Sequence, residues 1–365
     1  MDYSVCRYKP GDEEDIVKLL NEVFRGWLKF DLQCSPLDHW RWKFIDNPPK
    51  VTVVFLAVSD GKIIGCSHGL PQRLKIGEQI LLSCQGADAA TSSDFGGMGV
   101  HSKIKLHKVA FMKNAGIHFY FSVSANPILI DKNKREKHHA LPFTLEKLLR
   151  IRDIDLHLKM VSSEKDLFKK YGFHTLKIIN RFKRAKRASN KIHHDFKIAE
   201  INIFDDRIDK FWSQVSTKYK FIVQRDRDYL NWRYCDPRGG NYIVKVAEAE
   251  SRILGFIILR INRYDVKYPV GYIVDLLALP DRLDVISELA ISAVDYFDNE
   301  NINKIQVNAL KNSSTESMFQ RMGFINDTMI PFINYPPEFR NDALDGLNKN
   351  DVNNIHFVYG DYDYI

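Results

Sequence analysis

The chain contains no run approaching the roughly 18 consecutive apolar residues that a membrane-spanning helix needs, so no transmembrane segment is expected. The opening residues Met1 to Cys6 lack a charged stretch followed by an apolar one, so a secretory leader is not expected either. Cysteine is sparse: Cys6, Cys34, Cys66, Cys84 and Cys235 are dispersed, odd in number and free of any CxxC pair. Such a set argues against a disulfide framework or a zinc site and fits a reducing cytoplasm, with the thiols buried as small hydrophobes. His138-His139 has no cysteine or carboxylate at metal-ligand spacing, so no metal is expected.

Charge of one sign is not in great excess. Lysine plus arginine number 53 against 46 acidic residues, a net +7, and the surplus is concentrated in two runs, 132–139 and 181–187. Runs of this kind are ordinarily solvated faces or linkers. Neither alternates with aromatics as a single-stranded nucleic-acid groove requires, so nucleic acid is not the expected partner. The functional alternative for them is an anion: the phosphates of CoA, a nucleotide-linked substrate or RNA.

What is present suffices for two compact domains: 365 residues, 45% hydrophobic and 12% aromatic. The chain also repeats itself. Asp38-His39-Trp40-Arg41-Trp42 through Asp46 is echoed by Asp228-Tyr229-Leu230-Asn231-Trp232 through Asp236, and Trp42 and Trp232 stand 190 positions apart. Gly65 and Gly255, each closing a strand–turn–strand signature, keep the same offset, while Asp88 and Asp275 follow at 187. A period of this length implies duplication of a whole domain and not a solenoid.

Each copy reads the same way. In the first, a strand near Ser4–Tyr8 and a helix from Glu13 precede the tryptophan-rich helix. Strands at 51–58 and 62–68 flank the hairpin turn Asp60-Gly61. A strand over 78–91 runs into a glycine loop, a helix near 99–114 and a strand over 117–124. In the second copy the hairpin is 242–249 and 253–261, the buried strand 270–278, the helix begins near Leu283 and the next strand is 304–310. Hairpins followed by strand–helix–strand predict a mixed α/β (α+β) sheet with helices on its faces. The expected division is an N-terminal domain 1–182 with an insertion at about 126–160, a linker 183–195 and a C-terminal domain 196–365.

The loop Asp94-Phe95-Gly96-Gly97-Met98-Gly99-Val100-His101 joins a strand end to a helix start. Unpaired amides and the positive dipole end of a first helical turn favour anions, and glycines let a phosphate approach those amides.

This order of elements resembles the GNAT acyl-CoA-dependent N-acetyltransferase family, and the loop looks like that family's pyrophosphate motif, Q/R-x-x-G-x-G/A. The ends Tyr171-Gly172-Phe173 and Met322-Gly323-Phe324 look like its final helix and turn, and Gly360-Asp361-Tyr362-Asp363 is like the close of large tandem members. The resemblance implies two tandem domains, each a mostly antiparallel sheet with one splayed parallel pair and helices on both faces. It also implies acetyl-CoA, or another acyl-CoA, as cosubstrate. The pantetheine arm would pair with Ala89, Ala90 and Thr91. The pyrophosphate would rest on Phe95, Gly96, Gly97, Met98, Gly99, Val100, His101 and Ser102, and Asn126 would contact cofactor or substrate. Asp88 is the candidate general base and Ser124 the second catalytic candidate; both could equally end their strands with hydrogen-bonding or turn chemistry.

The departures are definite. Gly96 replaces the usual Gln or Arg, His101 the usual Gly or Ala, and Phe168 and Phe319 stand where a tyrosine often protonates the leaving thiolate. No acid is assigned. The second copy's loop, Leu279-Pro280-Asp281-Arg282-Leu283-Asp284, has no glycine and two carboxylates, so any acyl-CoA site is expected in the first copy. The expected activity is acyl transfer to a primary amine of a small molecule, such as an amino sugar or cell-envelope precursor, by direct attack. The alternatives are a tandem aminoacyl transferase that uses charged tRNA and a non-catalytic binding module on this scaffold. The expected setting is cytoplasmic, without membrane attachment. Nothing in the sequence fixes an oligomeric state.

Overall fold

The computed structural model describes residues 2–28, 30–124, 127–161, 195–329, 332–344, 346–347 and 352–363. Two mixed sheets form its frame. The first is ordered β1 (Ser4–Arg7), β2 (Val53–Ser59), β3 (Lys62–Ile76), β4 (Gln79–Thr91), β5 (Phe119–Ser124), β15 (Phe332–Tyr335) and β6 (His139–Ala140), with β9 (Phe221–Val223) added to β3. The second is ordered β8 (Lys197–Ile201), β10 (Tyr242–Ala249), β11 (Arg252–Asn262), β12 (Val270–Ala278), β13 (Lys304–Leu310), β7 (Leu145–Ile151) and β14 (Ile325–Met329).

The two frames follow one grammar. In each, three antiparallel pairings lead to one parallel pair, β4–β5 or β12–β13. The hairpins carry bulges at equivalent places, Ala57/Val58 and Ala247/Glu248. Asp60 and Gly61 both have positive φ (49° and 73°), the conformation that a two-residue turn needs to match strand twist.

Helices cover both faces of the first sheet. α1 (Glu13–Phe24) and α2 (Pro36–Phe44) bury Ile16, Leu20, Trp40 and Phe44 against Val54 and Leu56. α3 (Val100–Asn114) buries Val100 and Ile104 against Phe55 and Ala57. Alternate β2 residues therefore serve opposite layers. α2 begins cleanly because Ser35 accepts the Asp38 amide and Pro36 needs no partner for a missing N–H. α4 (Pro127–Arg135) and α5 (Ile154–Val161) flank β6 and β7. In the second half α6 (Arg207–Val215) packs on the central core with Phe204 and Phe256. α7 (Leu283–Asn299) buries Val285, Leu289, Ala293 and Phe297 on the second sheet, and α8 (Ser314–Arg321) adds the fully buried Phe319.

Two features were not anticipated from sequence. The halves exchange strands: β7, from the stretch expected as an insertion, pairs with β13 of the second sheet, while β15, near the chain end, pairs with β5 of the first. The repeat-equivalent tryptophans also meet. Trp42 and Trp232 stack with centroids 4.9 Å apart, and each indole N–H donates to the other's carbonyl, at 2.9 and 3.1 Å. The expected linker falls almost wholly outside the described residues, as do Phe168, Tyr171 and the 181–187 basic run. No helix among the described residues is long and apolar enough to cross a membrane.

Candidate functional site

The site begins with a parallel pair that separates. β4 and β5 are joined only from Ser83–Gln85 to Phe119–Phe121, and beyond that each continues without the other to Thr91 and Ser124. A cavity of ≈ 450 Å³ occupies the gap.

A bulge shapes its β4 wall. Cys66 pairs with Ala90 and His68 with Ala87, so Asp88 and Ala89 together face Ser67. Asp88 is held at φ 35°, a left-handed conformation that costs a non-glycine residue about 1–3 kcal/mol. His68 stabilises it. The Trp40 indole, which can only donate, bonds His68 Nε2 at 3.0 Å, so the proton sits on Nδ1 and is given to the Asp88 carbonyl at 2.7 Å. Burial, with the Lys43 and Lys108 charges, pushes the His68 pKa down to about 3, so the ring is neutral at ordinary pH.

Beneath the bulge lies a charge cluster. Lys43, on the buried face of α2, donates to Asp88 Oδ2 at 2.7 Å and also ion-pairs with Asp363. Burial works against the Lys43 charge, but Asp363 and Asp88 outweigh it and raise its pKa. Asp363, whose amide donates to Gln85 Oε1 at 3.2 Å, lines the cavity. Burial and the neighbouring Asp88 carboxylate raise its pKa against the pull of Lys43 and Arg233.

The opposite wall is basic. Lys105 and Lys108 from α3 and Lys132 from α4 face the cavity with His101 and His138. Lys108 is anchored on Ser67 Oγ at 2.7 Å and the His68 carbonyl at 3.1 Å. Burial and the three lysines push His101 down to about 4. His138 contacts Asn334 Oδ1 at 2.8 Å through Nδ1 and Lys105 at 3.1 Å through Nε2. Lys105 also pairs with Glu136. Asn334 and Asp363 come from the far end of the chain, so both halves build the site.

α3 opens on this region. Its N-cap is Gly99 at φ 73°, no side chain caps it, and its first turn has no acidic residue. The initial amides thus lack intrahelical acceptors and the dipole end is not neutralised. Tyr120 supplies a phenol on the β5 side. It fits because Gly86 has no side chain: a Cβ there would stand 2.5 Å from the hydroxyl.

Of the residues expected from sequence, Asp88, Ala89, Thr91, His101 and Ser124 line the cavity. Ala90 and Val100 point into the cores on either side of the sheet. Phe95 packs beside Val100; Gly96, Gly97 and Met98 form the loop before α3, and Ser102 lies in its first turn near Lys132. Asn126 lies outside the described residues. Sequence reasoning did not find Lys43, Lys108, Tyr120 or Asp363. Lys43 had a usable signal: Trp40, Lys43 and Phe44 share one helical face at i, i+3, i+4.

The second sheet closes the equivalent place. Asp275, at the counterpart of Asp88, is buried against Arg225 at 3.1 Å and His356 at 3.0 Å, and Arg225 also grips Asp361. The cavity there is only ≈ 60 Å³, and Arg282 at the start of α7 is occupied by Asp284 and Asp195.

No protein-family model matches the chain, and no curated protein sequence does. Solved structures do match. A GCN5-related N-acetyltransferase from Anabaena variabilis superposes with TM-score 0.61 at 10% identity, over 91% of this chain and 72% of that one. Saccharomyces cerevisiae N-myristoyltransferase with bound myristoyl-CoA gives 0.59 at 11% identity, over 92% and 79%. At such identity the likeness is one of fold: this chain has the GNAT architecture.

Proposed function

We propose that this chain is an acyl-CoA-dependent N-acyltransferase built from a duplicated GNAT domain, with its one cosubstrate site in the β4–β5 cleft. The observation that carries the proposal is the cleft itself. A splayed parallel pair leaves strand edges for a pantetheine arm, and an uncapped helix start and three lysines stand beside it to take phosphates. The second sheet's counterpart leaves only ≈ 60 Å³, and its helix carries an acidic residue, Asp284, in the first turn. The Anabaena and yeast neighbours are transferases of acetyl and myristoyl groups by name, and acetyl-CoA is the simplest cosubstrate to try.

Lys43 pairs with both carboxylates; Asp363 is assigned as the base because burial and the Asp88 carboxylate raise its pKa and it lines the cleft. Asp363 takes one proton from the substrate ammonium. The freed amine attacks the thioester carbonyl, forming the C–N bond as the C–S bond breaks. The second amine proton leaves to the thiolate through the Tyr120 hydroxyl, and Asp363 returns its proton to solvent. Asp88 and Ala89, at the bulge, line the cleft, and a main-chain N–H there would serve a forming oxyanion.

The test is release of free thiol from acetyl-CoA in the presence of a panel of small primary amines, with acylated amine identified by mass. Amine-dependent thiol release, lost in Asp363→Asn, supports the assignment. Absence of release with every amine and with acetyl-, longer-chain and aminoacyl donors would overturn it.

A further inference from the structure

A second, smaller cavity of ≈ 20 Å³ adjoins the first: Asp363 lines both, and Lys43 lines the smaller one. Its other walls include Phe30, His39, Arg233 and Arg260. Arg260 is 1% exposed. Its Nη1 reaches the Tyr242 hydroxyl at 3.4 Å, but Nε and Nη2 have no hydrogen-bond partner among the described residues. The nearest carboxylate, Asp31, stays 3.9 Å from Nη2, and its other oxygen accepts the Arg263 amide at 2.9 Å. Buried guanidinium donors are normally satisfied, since leaving them bare costs the full desolvation penalty.

The bare pair has a definite shape. Nε–H and Nη2–H lie on one edge of the guanidinium and form the fork that grips a carboxylate through both oxygens. The cation is held for that purpose. Its plane lies over the Phe30 ring at 4.7 Å, and glycine at 240 makes room, since a Cβ there would come within 3.0 Å of the guanidinium. Lys43, Arg233 and Arg260 all act on His39, which burial first and these cations next hold near a pKa of 3. Three cations, Lys43, Arg233 and Arg260, and one carboxylate, Asp363, thus border a space about the size of two water-sized oxygens, too small for a phosphate with its four.

We propose that this cavity is the acceptor's anion subsite: the amine substrate carries a carboxylate, bound side-on by Arg260 while its nitrogen faces Asp363. The subsite stands on its own geometry; only the placing of the nitrogen rests on the transferase assignment above. An α-amino acid is the smallest molecule with both groups.

Glycine and glycinamide, titrated without cofactor at fixed ionic strength and followed by the fluorescence of the bordering Trp42 and Trp232, test it. The expected result is saturable glycine binding, at least about tenfold tighter than glycinamide, the scale of a charged hydrogen-bond pair. Arg260→Met should bind glycine no better than glycinamide, keep acetyl-CoA affinity and melt no lower than the wild type, because a buried cation with two unbonded donors is removed. Asp31→Asn, which withdraws the competing carboxylate without touching the core, should tighten glycine several-fold. Equal binding of the two probes, unchanged glycine affinity in Asp31→Asn, or a marked fall in melting temperature of Arg260→Met would overturn the subsite. Failure to bind acetyl-CoA would strike the transferase assignment and leave the glycine result standing.

Discussion

Two buried histidines make the stability of this protein depend on pH in a calculable way. His68 is fully buried and His39 6% exposed, and both are pushed from 6.5 to about 3. In the unfolded chain each binds a proton near pH 6.5, whereas the native state refuses it until about pH 3. The unfolded state therefore holds more protons throughout that window, so stability falls as pH falls from 6.5 toward 3. At about 1.4 kcal/mol per pH unit, lowering pH from 8 to 5 costs about 2 kcal/mol through His68 alone. Carboxylates with raised pKa values, Asp363 among them, act in the opposite sense, so the total slope is not diagnostic. A double difference is. His68→Gln keeps both hydrogen bonds, with its carbonyl accepting from Trp40 and its amide donating to Asp88, but has no proton to bind. Urea unfolding at pH 8 and pH 5, followed by tryptophan fluorescence, should show the variant losing about 2 kcal/mol less than the wild type over that interval. Equal losses in the two proteins would refute the assignment of a neutral, proton-excluding His68 and, with it, the account of how the Asp88 bulge is held.

The other expectations concern catalysis and the junction of the halves. Asp363→Asn should lower kcat by about 10²-fold or more. In the wild type the rate should rise with pH through the raised Asp363 pKa, a limb that the variant lacks. Tyr120→Phe should lower kcat while leaving acetyl-CoA affinity in place, measured by steady-state kinetics beside a binding titration. Trp232→Ala removes one half of the stacked pair and the bond that its indole donates to the Trp42 carbonyl, while the main-chain carbonyl that accepts from Trp42 stays. The substitution should destabilise the protein by about 3–5 kcal/mol in urea unfolding.

Much of the frame was legible because it is written in local pattern. The hairpins at Asp60-Gly61 and around residue 250, the apolar strand 270–278 and the helix begun at Val100 each carry their own periodicity or turn chemistry. The 190-residue offset linked Trp42 to Trp232 before any contact was known. The exchange of β7 and β15 was not legible, because strand periodicity specifies a face and not a partner. The candidate cluster was hidden for a related reason. Asp88 could be singled out beside its glycine loop, but the lysine it shares with Asp363 could not. Asp363 becomes important only when the chain end folds back onto α2 and β4. Arg260 reads as one more cation at the end of an apolar strand. That its Nε and Nη2 meet no hydrogen-bond acceptor among the described residues is a property of the packed interior.

The central claim is that the cleft between β4 and β5 receives an acyl-CoA whose phosphates rest at the start of α3. Calorimetric titration of the wild type and Gly99→Glu with acetyl-CoA tests it most directly, since the variant puts a carboxylate at the N-cap where phosphate is to bind. Micromolar binding by the wild type, abolished in a folded variant, is the predicted result. No binding at millimolar acetyl-CoA, or equal affinity in both proteins, would contradict it.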